Sequence, residues 1–286
     1  VCAAAEAQDA PAQPEEAPAA AAEDGPDRPE ERQGRGFFSG AYEPAERRMW
    51  FLETEVNAWY VSPGGDLSIG GSPLAETATL NVDSPQATPM VEAHARLDPF
   101  TLSIRGSLLD VDNAARLAAP TTLGVTTYGA GEIVETNYRL DEAAVRLGYR
   151  LFQFDGDPDE RGRPLISAGV DLLGGLRVYD GSLGVTGVSG TVGTSFTHVE
   201  PLIGFAADVT FADKYEIQFQ NTHAGTPDID GQRSFTVDIQ VTFKYRPVEN
   251  AAVQLGYRIR QNRLKGDDYE IDGAVAGIFA GLALRF

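Results

Sequence analysis

The stretch SFTVDIQVTFKYR, residues 234–246, alternates strictly between apolar and polar side chains. The apolar positions are Phe235, Val237, Ile239, Val241, Phe243 and Tyr245. The polar positions between them are Thr236, Asp238, Gln240, Thr242, Lys244 and Arg246. A period of two that persists this long predicts a β-strand, because the face of a helix repeats only every ~3.6 residues.

The same alternation recurs along most of the chain. The segment AAVQLGYRIRQNR (251–263) follows after the link PVEN (247–250), so the two segments predict a hairpin. Further strands are predicted near Trp50–Val61, Pro89–Leu97, Phe100–Asp110, Asp141–Phe154, Leu165–Tyr179, His198–Val209, Lys214–Asn221 and Val275–Phe286. Most of these segments have roughly the nine to eleven residues that a tilted strand needs to cross a bilayer.

The links between the predicted strands alternate in length. The short links are 98–99, 155–164, 211–213 and 247–250, and the long Gly/Ser/Thr-rich links are 62–88, 111–134, 180–197, 222–233 and 264–273. Short periplasmic turns opposite long loops are typical of outer-membrane barrels. We therefore predict an all-β fold for residues 50–286, a transmembrane up-and-down antiparallel β-barrel of about ten strands. Eight or twelve strands stay open, because 62–88 and 111–134 have room for more strand.

The first thirty-six residues differ sharply from the rest. Residues 1–36 are nearly all Ala, Pro, Gly, Gln and charged residues, and they carry nine acids and three bases. Such a segment buries too little apolar surface to offset its chain entropy, which predicts a disordered acidic periplasmic tail. Its Ala-rich start resembles the end of a signal peptide, and Cys2 raises lipid attachment as an alternative. Residues 37–49 are predicted to be a short bridge.

A soluble β-sandwich also alternates, so it is the main alternative fold. Three features favour the barrel: the strands are long, they follow one another as hairpins, and one face is almost free of charge. That face is predicted to meet lipid, and it includes Val145, Leu147, Tyr149, Leu151, Tyr215, Ile217 and Phe219. Much of the 42% hydrophobic content is thus expected in an outer belt.

The opposite face is ionic in both signs and is predicted to line the lumen. Its acids are Glu53, Glu55, Glu92, Asp171, Glu200, Asp208, Glu216 and Asp238. Its bases are Arg96, Arg105, Arg146, Arg150, Arg177, Lys244, Arg258, Arg260 and Arg285. Buried charges persist when they are paired, so we predict a salt-bridge network that fills a narrow barrel. A narrow pore for ions or small solutes is the alternative.

The chain ends in AVAGIFAGLALRF, an alternating segment with an aromatic last residue. Phe279, Gly281, Leu284 and Phe286 fit the C-terminal insertion signal of bacterial outer-membrane proteins. With the alternating strands, residues 50–286 resemble a Gram-negative outer-membrane β-barrel protein of the small proteobacterial type. The resemblance implies location in the bacterial outer membrane, insertion by the barrel-assembly machinery, and contact with membrane lipid and lipopolysaccharide.

The histidines are the main catalytic candidates. His94 is predicted to point inward beside Glu92, whereas His198 and His223 lie where strands meet long loops. His223 with Asp228 and Asp230 is a conceivable acid–histidine pair for water activation. Ten-stranded outer-membrane proteases use such pairs on the loop side, but this sequence lacks their Asp-x-His triplet and also the His-x-Ser triplet of lipid A deacylases. We predict no enzyme activity, with a loop-side hydrolase as a remote alternative.

The composition argues against several classes of partner and cofactor. The net charge of −19 argues against nucleic acid as a partner. One cysteine and three histidines argue against a disulfide framework or a zinc site, and neither a phosphate-binding loop nor an HExxH motif occurs, so no metal or cofactor is expected. One predicted loop carries the acids Asp267, Asp268, Glu270 and Asp272. They either present a solvated surface or bind Ca²⁺. The prediction is a structural or surface-interaction barrel; the sequence leaves its oligomeric state open.

Overall fold

The computed structural model describes residues 50–160, 162, 164–229 and 231–286. Ten long strands make up the barrel: β1 (Trp50–Ile69), β3 (Gln86–Leu97), β4 (Phe100–Arg116), β7 (Ile133–Asp155), β8 (Ile166–Gly187), β9 (Gly190–Phe211), β10 (Tyr215–Ile229), β11 (Gln232–Val248), β12 (Ala251–Gly266) and β13 (Tyr269–Arg285). Three short strands, β2 (Ala75–Glu76), β5 (Thr121–Leu123) and β6 (Thr126–Tyr128), and a 3-10 helix at Thr77–Leu80 lie in the two longest links. The predicted tail and bridge lie outside the described residues.

The ten long strands form a closed antiparallel ring. Each pairs with its neighbour along the chain, and β13 pairs with β1 from Glu53↔Arg285 to Ile69↔Tyr269. Each of the ten long strands thus pairs with a neighbour on both sides, as a sheet in lipid requires. The predicted up-and-down barrel of ten strands is therefore confirmed. No helix in the described part of the chain is long and apolar enough to cross a bilayer.

Three of the predicted long links are wrong. Of their described residues, 180–197, 222–229, 231–233 and 264–273 are mostly strand, with turns at 188–189, 231 and 267–268. Their Gly, Ser and Thr content suggested loops, but inward apolar side chains such as Leu183 and Val185 keep the two-residue period. The links 62–88 and 111–134 do contain extra strand, but it lengthens β1, β3, β4 and β7 and leaves the number of barrel strands at ten.

We call the end of the barrel at residues 98–99, 156–160, 162, 164–165, 212–214 and 249–250 the turn end, and the opposite end the loop end. On the outer face, apolar side chains give way to polar ones at a defined level on the way to the loop end. Leu108 is followed by Asp110 on β4, and Val178 by Asp180 on β8, all of them exposed. An apolar outer belt that ends in this way marks the membrane boundary, and the chain is an integral barrel of the outer-membrane type.

Inside the barrel, the side chains change at the same boundary from charged to apolar. On β7, the inward side chains Glu142 and Arg146 lie within the belt, whereas Tyr138 and Leu140 lie beyond it. Outward positions change from Val145 to Arg139 over the same stretch. The belt half of the barrel is thus polar inside and apolar outside, and the loop half is the reverse. The hydrophobic residues therefore form a true core in the loop half as well as an outer belt.

Small inward residues make room for large ones on adjacent strands. Gly256 on β12 lies beneath the ring of Phe279 on β13, its partner in the strand register. A Cβ atom on Gly256 would overlap that ring and lie 2.5 Å from the carbonyl oxygen of Val241. Phe279 is itself only 1% exposed, so its ring has little room to move. The absence of a side chain at position 256 is therefore required by packing.

We expect Gly256→Ala to lower the free energy of unfolding by about 1–3 kcal/mol, because the added methyl group overpacks the site. Urea titration of the barrel folded in lipid vesicles, followed by tryptophan fluorescence, measures the change. Gly184→Ala is the control, since a Cβ atom there has no heavy atom within 4 Å. An equal effect of both substitutions would show that the contact with Phe279 is not the cause.

Candidate functional site

The centre of the lumen holds two carboxylates shared by three arginines. Glu142 accepts hydrogen bonds from Arg258 at 2.8 and 2.9 Å and from Arg260, and it also faces Arg177. Asp238 accepts from Arg258 at 2.7 Å and from Arg177 at 2.9 Å. All five side chains are at most 3% exposed. This central cluster draws on β7, β8, β11 and β12, so it ties together strands that are not neighbours.

A second cluster continues from the first toward β3 and β4. Glu92 accepts from Arg105 at 2.7 Å and from Arg146. Arg105 also lies 3.6 Å from Asp238, which connects the two clusters. Each charge therefore has an opposite charge beside it, as burial in a low-dielectric interior requires.

A third cluster lies nearer the turn end. Lys244 donates to Glu53 at 2.8 Å and to Glu55 at 2.6 Å. Arg246 and Arg285 also donate hydrogen bonds to the Glu53 carboxylate, at 2.6 and 3.0 Å. Because β1, β11 and β13 supply these groups, the cluster also ties the seam between the first and last strands to the far wall.

Four members of the predicted network lie apart from these three clusters: Arg150, Asp171, Asp208 and Arg96. Arg150 pairs with Asp171 and Asp208 at 3.2 and 2.8 Å, as a separate group on β7, β8 and β9. Arg96 was predicted to be lumenal, but its closest ion pair is with Asp98 in the adjoining turn, whose side chain is 59% exposed. The register places Arg96 one residue from the end of β3, where solvent is available.

The sequence analysis missed Glu142 and Arg246. Glu142 has the same parity as Arg146 on β7, and Arg246 has the same parity as Lys244 on β11, so the period of two was enough to place both inside. Glu200 is buried inside the barrel, where its carboxylate accepts a hydrogen bond from the hydroxyl of Thr236 at 3.1 Å. Alternation identifies the lumenal face, but it does not say which groups pair across the ring.

Aromatic rings cover the central cluster on the loop side. The guanidinium of Arg258 lies 5.0 Å from the ring of Trp59, and that of Arg260 lies 5.2 Å from the ring of Tyr179. Such cation–π contacts stabilise desolvated guanidinium groups. Beyond these rings the lumen is filled by buried apolar side chains, including Leu109 and Leu183. The charged layer and the apolar layer thus lie one above the other inside the barrel.

The links at the loop end add a cap above the apolar layer. Tyr128 on β6 donates to the carbonyl oxygen of Val185 at 3.0 Å. The carboxylate of Glu132 accepts from the backbone N–H and the hydroxyl of Ser189, and from the backbone N–H of Gly129. These hydrogen bonds hold the pKa of Glu132 below its ordinary value, because they stabilise the charged form. Glu132 thus ties the cap to the β8–β9 turn at neutral pH.

Much of the loop end is uncharged despite the acidic composition of the chain. Residues 117–131 and 181–199 contain no Asp, Glu, Lys or Arg. The structure brings the two segments together, since β6 packs on the β8–β9 hairpin. Val125 in the β5–β6 turn is 100% exposed, and Val188 in the β8–β9 turn is 97% exposed. We call this joint face of the two segments the uncharged surface.

The three histidines do not form a catalytic group. His94 lies 3.4 Å from both Glu55 and Glu92, which are already paired with Lys244 and with Arg105 and Arg146. Although this trio is compact enough for a metal ion, its carboxylates are neutralised by bases, so it is poorly suited to a divalent cation.

The other two histidines lie on opposite faces of the wall. His198 points inward and contacts the hydroxyl of Tyr269. His223 lies exposed on the outer face, while the Asp228 carboxylate accepts from Gly231 in its own turn. Asp230 lies outside the described residues. Among the described residues, no hydrogen bond or ion pair joins His223 to Asp228, so these two residues do not form an acid–histidine pair.

The residues of the C-terminal signal have separate positions. Phe279 points inward, whereas Leu284 and Phe286 are exposed on the outer face. Gly281 allows close approach to β1, because a Cβ atom there would overlap the carbonyl oxygen of Val56. Their part in insertion stays a prediction.

Comparisons with known proteins give only distant likenesses. No protein-family model and no curated protein matches the chain. Its backbone is similar to the outer membrane protease OmpT from Escherichia coli, at 11% identity over 82% of this chain and 97% of that chain, with a TM-score of 0.48. It is also similar to Neisserial surface protein A (11% identity, 83% and 97%, 0.36) and to the attachment invasion locus protein Ail of Yersinia pestis (11%, 82% and 98%, 0.33).

We expect Glu142→Gln to lower the free energy of unfolding by about 3–5 kcal/mol, since three buried arginines lose their shared negative charge. Asp98→Asn makes the same chemical change at the exposed pair with Arg96, where solvent screens the interaction, and should have little effect. Urea midpoints of both variants, folded in the same vesicles, measure the difference. Similar midpoints for the two variants would contradict a stabilising role for the central cluster.

Proposed function

We propose that this protein is a closed outer-membrane barrel that acts through contacts at its loop end, without conducting solutes and without catalysis. The observation that carries the proposal is the filled lumen. Arg258, Arg260 and Glu142 are 0–3% exposed, and Trp59 and Tyr179 cover them at 0% exposure. A path for ions would have to break these pairs and displace the apolar layer above them.

The loop half supports a role in surface contact. Its strands continue beyond the belt, so the loop end extends the barrel wall. The uncharged surface stands on this extension, and its exposed valines at the two tips offer apolar contact area to a partner. Glu132 fixes the two segments together, so less ordering is needed on binding.

We propose the usual orientation for such barrels, with the turn end and the acidic tail in the periplasm and the loop end outside. Membrane lipid then surrounds the belt. Lipopolysaccharide adjoins the exposed polar side chains just beyond the belt, such as Asp110 and Asp180, which we call the polar band. Insertion by the barrel-assembly machinery is proposed from the C-terminal residues Phe279, Gly281, Leu284 and Phe286.

In planar lipid bilayers we expect no steady conductance steps from the folded protein, because the ion pairs and the apolar layer block the lumen. A general porin in the same film is the positive control, and heat-modifiable gel migration confirms that the sample is folded. Steady steps that disappear in Arg258→Ala would contradict the closed barrel and favour the narrow channel.

Orientation is tested by cysteine labelling in a Cys2→Ala background. Val188→Cys should react with a membrane-impermeant maleimide on intact cells, because position 188 is 97% exposed at the loop end. Asp157→Cys, at the turn end, should react only after the outer membrane is permeabilised. The reverse pattern would place the uncharged surface in the periplasm and remove the proposed role in surface contact.

A further inference from the structure

A shallow groove lies on the outer face of the barrel where the belt meets the polar band. It runs between β9, β10 and β11, and its walls include Pro201, Ile203, His223, Pro227 and Phe235. Gly225, the register partner of Phe235, also lines the groove and contributes no side chain to fill it. The walls are mostly apolar, and Ile203 and Phe235 are 62% and 47% exposed. The lumenal network and the cap use none of these side chains.

Three basic residues stand beside this groove on its loop side. Arg263 is the register partner of Phe235, and Lys265 is the register partner of Arg233. All three bases occupy outward positions, in alternation with the buried residues Ser234, Asn262 and Leu264 on the same strands. The strand register therefore places the basic group next to the apolar groove, at the level where the belt ends.

This grouping is unusual within the chain. On the loop side of the belt the described residues include five bases: Arg116, Arg139, Arg233, Arg263 and Lys265. Three of the five are in this group, where the paired acids are Asp272 and Glu270 at 3.0 and 2.9 Å. Around Arg139, by contrast, the nearby acids are Asp141, Asp110 and Asp180. The adjoining turns also carry Asp228, Asp267 and Asp268, so the three bases stand among acids. Within the group, Arg233 is the base without an ion pair among the described residues.

We propose that this groove and its basic group bind a phosphate-bearing lipid of the outer leaflet, with an acyl chain along the groove and the phosphate at Arg233, Arg263 and Lys265. The assignment rests on the orientation proposed above. Guanidinium forks suit phosphate oxygens, and the belt margin is the level at which lipid headgroups lie. The pairs of Arg263 and Lys265 with acids are solvent-exposed, so a phosphate can replace those carboxylates at small cost.

The test is lipid retention by the detergent-solubilised barrel, measured by native mass spectrometry. The probes are bisphosphorylated lipid A and the same lipid with both phosphates removed. Wild type should retain the phosphorylated probe preferentially. Arg233→Ala/Arg263→Ala should reduce that retention about tenfold or more, since each base near an anionic lipid contributes roughly fivefold. Arg116→Ala/Arg139→Ala removes two bases elsewhere on the loop side and should leave retention unchanged.

A second variant tests the groove itself. Ile203→Trp projects a larger ring into the groove and should weaken retention of the phosphorylated lipid while leaving the bases intact. Heat-modifiable migration confirms that every variant is folded.

Two results would overturn the proposal: equal retention of both probes by wild type, or equal retention of the phosphorylated probe by the two double variants. Neither result depends on conductance, so a failure here is distinct from a failure of the closed-barrel proposal. If instead labelling puts the loop end in the periplasm, only the leaflet assignment fails.

Discussion

The pairing of β13 with β1 is the constraint on which the rest of the structure depends. In a bilayer no water is present to satisfy the backbone groups of an unpaired strand, so the sheet must close on itself. Ring closure by ten strands leaves an interior that side chains alone can fill. The glycines at the seam, such as Gly281, permit the close approach of the two strands. The basic side chains that bind Glu53 tie the seam to the opposite wall.

Two different solvents act on each strand. Within the belt, outward residues such as Val145 are apolar because they face lipid, and the charged residues face the lumen. Beyond the belt, water selects Arg139 on the outside, and Tyr138 and Leu140 fill the inside. Strand parity is constant from Ile133 to Arg150 on β7, but the residue type preferred at each parity reverses at the membrane boundary. The groove and the basic group lie on the outer face at this reversal, where one strand offers both apolar and charged side chains.

The sequence predicted the strands best where contrast between the two faces was strongest. Residues 234–246 alternate between aromatic or branched residues and ions, and β11 was located to within two residues at each end. Residues 181–187 alternate between Gly, Ser or Thr and a few aliphatic residues, so the end of β8 was assigned to a loop. Where both faces carry small residues, the hydrophobic contrast that reveals a strand is weak, although the backbone pairing is equally complete.

The sequence by itself determined the barrel, the approximate number of its strands and the parity that separates outward from inward positions. These follow from a local period of two, which each segment carries without reference to the others. Only the tertiary structure decided that Glu142 is shared by Arg258, Arg260 and Arg177, that Arg96 lies outside the network, and that His223 and Asp228 do not meet. Those outcomes depend on the register between strands far apart in the chain, because ring closure sets which inward positions face each other across the lumen.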